Sequence, residues 1–245
     1  AELRVRLRAA QRMIDLQYDL EIQNRELRKA HDTLDRDLRA AAQLQQKLLP
    51  QKPSVYPELL IDWLFLPSLY LAGDMFNFMR LDRDNIGIYH LDVSGHGIPA
   101  ALLSIALSRV LTKESGGLLC RDSREGMNSI RPPSEVVSQL NERFQSDDDA
   151  YFTIFYGIFN RVTRSFRFCQ AGHPSPILLH KGAGAHSVGS GGFPVGMMPA
   201  MDWEEESITL APGDRLVLYS DGVIESKNAA GQQFSEEGLR NSLSG

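Results

Sequence analysis

Cysteine is nearly missing from this sequence, with Cys120 and Cys169 the only two among 245 residues. They stand far apart in unrelated contexts, so neither a disulfide framework nor a thiolate metal site is on offer, and a reduced, cytoplasmic setting is expected. No apolar stretch approaches the roughly 20 residues needed to cross a bilayer, and the N-terminus has no signal-peptide pattern, so no membrane partner is expected. Positive charge does not predominate: 26 Lys and Arg against 31 Asp and Glu give a formal net charge of −5. That balance argues against nucleic acid as a partner, although a local basic patch remains open, and without a basic-aromatic surface pattern a two-metal nuclease is a distant reading. What the chain does have is 42% apolar residues, enough for a sizeable core.

Proline and glycine are absent from residues 1–49, where charges of both signs are interspersed. Leu20, Asn24, Leu27, His31, Leu34, Leu38, Ala41, Gln45 and Leu48 step by four and three in alternation, the spacing of a coiled-coil seam. Leu3, Leu7, Ala10 and Ile14 follow the same rule out of phase, so the register slips over residues 13–20. A helix of this length is about 70 Å long at 1.5 Å per residue, too long for a domain of this size to bury. It is expected to pair with a second copy of itself. Asn24, His31 and Gln45 on the seam cost stability while fixing register, and weak polar layers beside a phase slip suit a two-state signalling linker. A passive spacer fits the same residues. Pro50 and Pro53 are expected to end the helix.

The remainder alternates strand and helix patterns. Residues 59–66 and 69–79 read as strands, the second interrupted at Ala72-Gly73-Asp74, and Asp82-Arg83-Asp84-Asn85 reads as a turn. Residues 86–93 have the β-branched and aromatic content of a buried strand; Gly95 and Gly97 break it, and residues 100–111 read as a helix. A polar loop is expected over 116–133, then a helix over 134–145 with Ser134 as N-cap. Residues 151–162 and 165–171 form a predicted hairpin around Thr163-Arg164. Short strands follow at 176–180, 203–210 and 215–220, with a glycine-rich turn at 181–184 and a last helix at 235–243. Strands in short-looped sequential pairs around two helices imply an α+β layered domain of mostly antiparallel sheet.

Three aspartates share one context, each after an apolar run with glycine beside it or within three residues: Asp74 in LYLAGD, Asp92 in IYHLDVSG, Asp221 in LVLYSDG. Singly, each fits an ordinary Asx turn. Together, carboxylates converging from strand ends would suit a hard divalent cation, Mg or Mn rather than Zn, and one carboxylate shared by two ions is the arrangement used for in-line attack on phosphorus. Spacing alone leaves open that the three turns are scattered around the fold.

Gly73-Asp74, Asp92-Val93-Ser94-Gly95-His96-Gly97, Ala171-Gly172-His173-Pro174, and Ser220-Asp221-Gly222-Val223 with Glu225 occur in the order found in the metal-dependent protein phosphatases of the phosphatase 2C superfamily. They most resemble its bacterial SpoIIE/RsbU branch, and Gln46-Lys47-Leu48-Leu49-Pro50 resembles that branch's lead-in to the catalytic domain. The resemblance covers residues 43–243. It implies an αββα sandwich of two mainly antiparallel sheets flanked by helices, preceded by the coiled-coil helix at 1–49, with the catalytic domain at 50–245.

It also implies two Mn2+ or Mg2+ ions: Asp92 bridging both, Asp221 holding one, Asp74 and the backbone carbonyl of Val93 holding the other, with a water activated for attack on phosphoserine or phosphothreonine. Gly95 and Gly97 would let the backbone pass close to the ions. His96 would assist the leaving group or shape the turn. His173 is expected to pack in a turn between strands, His90 to face core or helix, and Gly191-Gly192 with Pro194 and Gly196 to form a turn.

The substrate the resemblance implies is a phosphorylated STAS-domain anti-sigma factor antagonist in a partner-switching pathway. Control would come from an upstream sensor, such as a response-regulator receiver of a two-component system, through the helical linker. The sequence departs from the family pattern at Asn77, usually Asp, and Ser220, usually Thr. A further metal-binding aspartate of the family follows the last helix, where this sequence reaches Gly245. The chain is therefore expected to be a truncated fragment lacking one carboxylate beside Asp221. The alternative function is a catalytically weak or inactive pseudo-phosphatase acting as a dimeric partner-binding module.

Overall fold

The computed structural model describes residues 2–50, 56, 59–67, 70–121, 129–145, 150–182 and 184–244. The chain divides into two compact units, Ala1–Gln46 and Lys47–Gly245.

The first unit is one helix, α1 (Glu2–Gln46), continuous through the expected register slip, which is a shift of side-chain pattern and not of backbone. Pairs four residues apart support it from outside: Arg6 with Glu2 at 2.7 Å and Arg39 with Asp35 at 2.8 Å. Asn24 on the seam turns its amide back to donate to the Leu20 carbonyl at 3.0 Å. The helix stops four residues before Pro50, which bars helical geometry from the residue preceding it. Pro53 lies outside the described residues.

In the second unit, β1 (Met75–Arg80), β2 (Asn85–Val93), β5 (Phe152–Asn160), β6 (Ser165–Ala171) and β9 (Glu205–Thr209) form one antiparallel sheet in the order β1-β2-β5-β6-β9. A second sheet has the order β10-β7-β8, from β7 (Ile177–Leu179), β8 (Ala185–Ser187) and β10 (Arg215–Val217). Helices α2 (Ile98–Val110) and α3 (Pro133–Arg143) pack on the first sheet, α2 over β1 and β2, α3 over β5 and β6; α5 (Ser235–Ser244) packs on β7 and β8. The layers are helix, sheet, sheet, helix, the expected αββα order.

Strand alternation divides the core in two. Tyr89, Leu91 and Val93 of β2, with Ile154, Tyr156 and Cys169, face α2 and α3 and pack with Leu107, Val136, Val137 and Leu140. Ile86 and Ile88 face the other way, with Phe155, Phe159, Phe166 and Phe168, toward Leu216 and Leu218 of the second sheet. There the Phe155 ring stacks on Phe168 at 5.1 Å and on Phe166 at 5.9 Å. Burying each such side chain contributes about 1.5–3 kcal/mol relative to exposure, and this makes the first sheet the rigid floor of the domain.

Several expectations need correction. Residues 59–66 are not a strand. Trp63 and Phe65 lean on Phe76 at 5.2 and 6.3 Å while Leu60, Leu64 and Leu66 point to solvent, so the alternation is a burial pattern without a ladder. Of 69–79, only β1 is strand. The expected loop at 116–133 contains a small ribbon, β3 (Cys120–Arg121) with β4 (Ser129–Ile130), held to α3 by Glu135, which pairs with both Arg121 and Arg131; residues 122–128 lie outside the described ones. Pro132, not Ser134, is the N-cap of α3, since Pro133 suits the first helical position. The hairpin expected around Thr163-Arg164 is present as β5 and β6, with Arg164 at φ 59° in the turn. The strand β8 and a one-turn helix, α4 (Asp221–Ile224), were not legible, both being too short to show a period.

Candidate metal centre

The site lies where β2 ends. Asp92 is the penultimate residue of β2 and, by alternation, faces the second sheet together with His90, opposite Leu91 and Val93. In β1 the partner of Leu91 is Met75, so Asp74, one residue earlier, stands across from Asp92 at the mouth of the strand pair. Asp221 arrives from the other sheet, as the first residue of α4. Beyond β2 the chain turns through Gly95 and Gly97 at φ 91° and 80°, a region that disfavours any side chain, before α2 begins.

Gly73 has a separate reason to be glycine. A Cβ there would come within 2.9 Å of the Val93 carbonyl oxygen and 3.5 Å of Asp92 Oδ1. The bare backbone thus lets the Val93 carbonyl, the Asp92 carboxylate and the turn carrying Asp74 close on one spot.

The carboxyl groups act on one another. Burial first, then the Asp74 and Asp221 carboxylates, push the Asp92 carboxyl up to about 7. Asp74 is also raised, chiefly by burial; the Ser220 hydroxyl, whose Oγ donates to Asp74 Oδ2 at 3.2 Å, opposes the shift, and the Asp221 charge adds to it. Asp74 Oδ1 is buried and has no hydrogen-bond partner among the described residues.

Among the described residues, no group of three or more His, Cys, Asp and Glu side chains is arranged, as it stands, to hold a metal ion. The donor chemistry nevertheless fits a hard divalent cation: carboxylate and carbonyl oxygens only, one of them bare and buried, gathered where like charges are costly without a cation.

Beside this cluster runs a buried polar chain. Thr153, the cross-strand partner of Asp92, places its Oγ1 at 2.9 Å from His173 Nδ1, and His173 Nε2 lies 3.1 Å from His90 Nδ1. Burial holds the His90 imidazole down to about 4, and burial with His90 beside it holds His173 well below the usual range, so both rings are neutral. Gln170 donates to the His173 carbonyl and accepts from the Gly191 N–H at 3.1 Å. His173 thus sits in a turn between strands, as expected, but it also reaches His90, which faces the second sheet and not the helices. His96 is exposed in the glycine turn. Residues 191–196 form an irregular loop, tied down where Val195 exchanges backbone hydrogen bonds with Phe152. At Asn77 the side-chain oxygen accepts the Phe78 N–H at 2.8 Å.

Asp74, Asp92 and the Val93 carbonyl are therefore brought together, with Asp221 within electrostatic reach of both carboxyls. Sequence reasoning quoted Gly73 and Ser220 within the family motifs but gave neither a role at the site. Besides the motif, the signal for Ser220 was its place directly before Asp221-Gly222, the favoured position of a helix cap.

Comparison with known proteins agrees with this architecture. A family model described as Stage II sporulation protein E (SpoIIE) matches residues 82–245, which includes Asp92 and Asp221 but begins after Asp74. Phosphoserine phosphatase RsbP of Bacillus subtilis (strain 168) is 28% identical over 192 residues, 78% of this chain and 45% of RsbP. Phosphoserine phosphatase RsbU of the same organism is 28% identical over 208 residues, 84% of this chain and 58% of RsbU. The chain thus spans about half the length of these curated relatives. The solved structure of the SiaA-PP2C domain of Pseudomonas aeruginosa shares the fold, with a TM-score of 0.68 at 18% identity, over 87% of this chain and 82% of that one.

Proposed function

The chain belongs to the SpoIIE family, and from that premise we propose that it is a metal-dependent protein-serine/threonine phosphatase whose cations are held by Asp74, Asp92, the Val93 carbonyl and Asp221. The observation that carries this reading is the Asp74–Asp92 pair, partly buried, each carboxyl raised by burial and by the Asp221 charge and Asp92 by Asp74 as well, with one Asp74 oxygen left without a hydrogen-bond partner among the described residues. With its carboxyls ionised, such an arrangement opposes folding unless a cation relieves it, and perturbed carboxylates of this kind concentrate at functional sites.

Two Mn2+ or Mg2+ ions are the proposed occupants. When bound, they supply Lewis acidity toward phosphoryl oxygens and render a water acidic enough to attack phosphorus in line near neutral pH. The chain's own part is to hold and orient. Asp92, at a rigid strand end, would hold the cations once deprotonated, Gly73 keeps the Val93 carbonyl close, and Gly95 and Gly97 allow the positive-φ turn that follows. No serine or cysteine nucleophile is required of the protein.

The proposed substrate is a phosphorylated regulatory protein, specifically a STAS-type anti-sigma factor antagonist; the phosphoserine phosphatase names of the relatives support phosphoserine as the group cleaved. Control is assigned to an upstream receiver or sensor domain acting through α1, which pairs with a second copy. Leu20, Leu27 and Leu34 on its seam are 58%, 69% and 54% exposed, an apolar stripe that a second helix would cover. Restoring one heptad register across residues 13–20 should then lock activity high or low, whereas an unchanged response would make α1 a spacer.

A second reading, a partner-binding pseudo-phosphatase, draws on the finding that no three side chains among the described residues are arranged to hold an ion as they stand. The two separate in one assay: Mn2+-dependent hydrolysis of p-nitrophenyl phosphate and of a phosphoserine protein, with EDTA as control. Metal-dependent turnover establishes the enzyme. Its absence favours the pseudo-phosphatase.

A further inference from the structure

Ser220 occupies the N-cap position of α4 with the extended backbone that position favours, φ −88° and ψ 165°, yet its side chain makes no capping hydrogen bond. A serine placed there ordinarily turns its oxygen onto the N–H groups of the first helical turn. Here the hydroxyl leaves its own helix and donates to Asp74 Oδ2 at 3.2 Å, across 146 positions of sequence. The helix start closes without it, through the Val223 N–H on the Ser220 carbonyl at 3.1 Å. This contact also joins the two sheets, since Asp74 leads into β1 of the first and Ser220 follows β10 of the second.

Two consequences follow for the cluster, and they rest on the metal-centre reading above. A hydroxyl donating to Oδ2 fixes the rotation of the Asp74 carboxylate and leaves Oδ1, the buried oxygen without a partner among the described residues, as the free acceptor. Asp221 is covalently next to Ser220, so the same bond holds the second sheet's carboxylate near the first against their repulsion. We infer that Ser220 is a positioning residue of the metal centre, one whose hydroxyl aims Asp74 and tethers the Asp221 turn without itself binding a cation.

The test is calorimetric titration of Mn2+ into the wild-type chain and the variants Ser220→Ala, Ser220→Thr and Ser220→Val, with thermal unfolding of each in EDTA. Residues that orient a ligand typically change metal affinity about 10–100-fold when removed. Ser220→Ala and Ser220→Val should therefore bind Mn2+ at least about tenfold more weakly, while Ser220→Thr keeps wild-type affinity. Thr and Val fill the same volume, so that pair isolates the hydroxyl even if the smaller side chain loosens the turn. Equal affinity in the Thr and Val variants overturns the inference and leaves the metal centre standing. A wild-type chain that binds no Mn2+ overturns the metal centre itself and this inference with it.

Discussion

Helix α1 and the five-stranded sheet answer opposite physical demands. Along α1 every backbone hydrogen bond is local, and the large apolar residues remain exposed, Leu3 at 72% and Leu27 at 69%. In the sheet the ladder joins residues far apart in sequence, Asp92 to Thr153 for example, and Leu91, Ile154 and Phe155 are fully buried. The helix acquires its shape from its own residues and leaves its apolar stripe exposed, whereas the sheet satisfies its core within the unit and can hold costly polar groups in fixed places. A site that must keep carboxylates together against repulsion belongs on the second kind of scaffold.

The comparison breaks first at Asp92. Asp92→Ala should abolish Mn2+-dependent turnover, a loss of at least about a thousandfold, while circular dichroism and the metal-free melting temperature stay unchanged or improve, since a raised carboxylate is removed. Turnover that survives in this variant would rule out the proposed site.

A core cavity should separate the two regions energetically. Leu107→Ala in α2, at a wholly buried position, should cost about 2–5 kcal/mol in denaturant unfolding of the sheet domain. An unaltered helical signal from α1 would show the units melting independently, and a shared loss would show them coupled.

The pH dependence follows from Asp92, whose carboxyl stands at about 7 in the folded protein and near 3.8 unfolded. The folded state therefore holds this proton more tightly, so its stabilising effect is full below about 3.8 and is lost progressively as pH rises to about 7. In EDTA the melting temperature should fall between about pH 4 and 7 and level off above, and Asp92→Asn should flatten that slope. A cation must displace the same proton, so Mn2+ affinity should weaken about tenfold per pH unit below 7 and level off above it. Affinity constant from pH 5 to 8 would contradict the assignment.

The smallest effect is expected on α1. Replacing Leu27 and Leu34 by Ser should shift the protein from dimer to monomer in sedimentation and lower helicity, yet leave the domain's unfolding midpoint in place, because the core of the domain contains no residue of that helix. A domain midpoint that moved with these changes would end the contrast between a helix completed from outside and a sheet completed from within.

Much of this was legible in one dimension because the governing interactions are periodic or local. The heptads of α1, the strand carrying Asp92, the glycine turn and α2 each announce themselves through a repeat or a breaker. The failures have equally plain causes. Residues 59–66 alternate between half-buried and exposed as a strand does, but periodicity reports which side is covered and is silent about a ladder partner. Helix α4 and strand β8 are too short to carry a period. At His173 the turn was readable, but its contact with His90, 83 positions away, was not.

By itself, then, the sequence determined the long helix, the layered α+β character and the kinds of donor on hand, because these depend on neighbours a few residues apart and on side-chain chemistry. Which aspartates meet, that Asp74 leaves one oxygen bare, and that a serine in a capping position serves a carboxylate 146 residues away were decided only by the folded chain. Convergence of like charges is enforced by the packing of two sheets, an energy that is summed over the whole core and written at no single position.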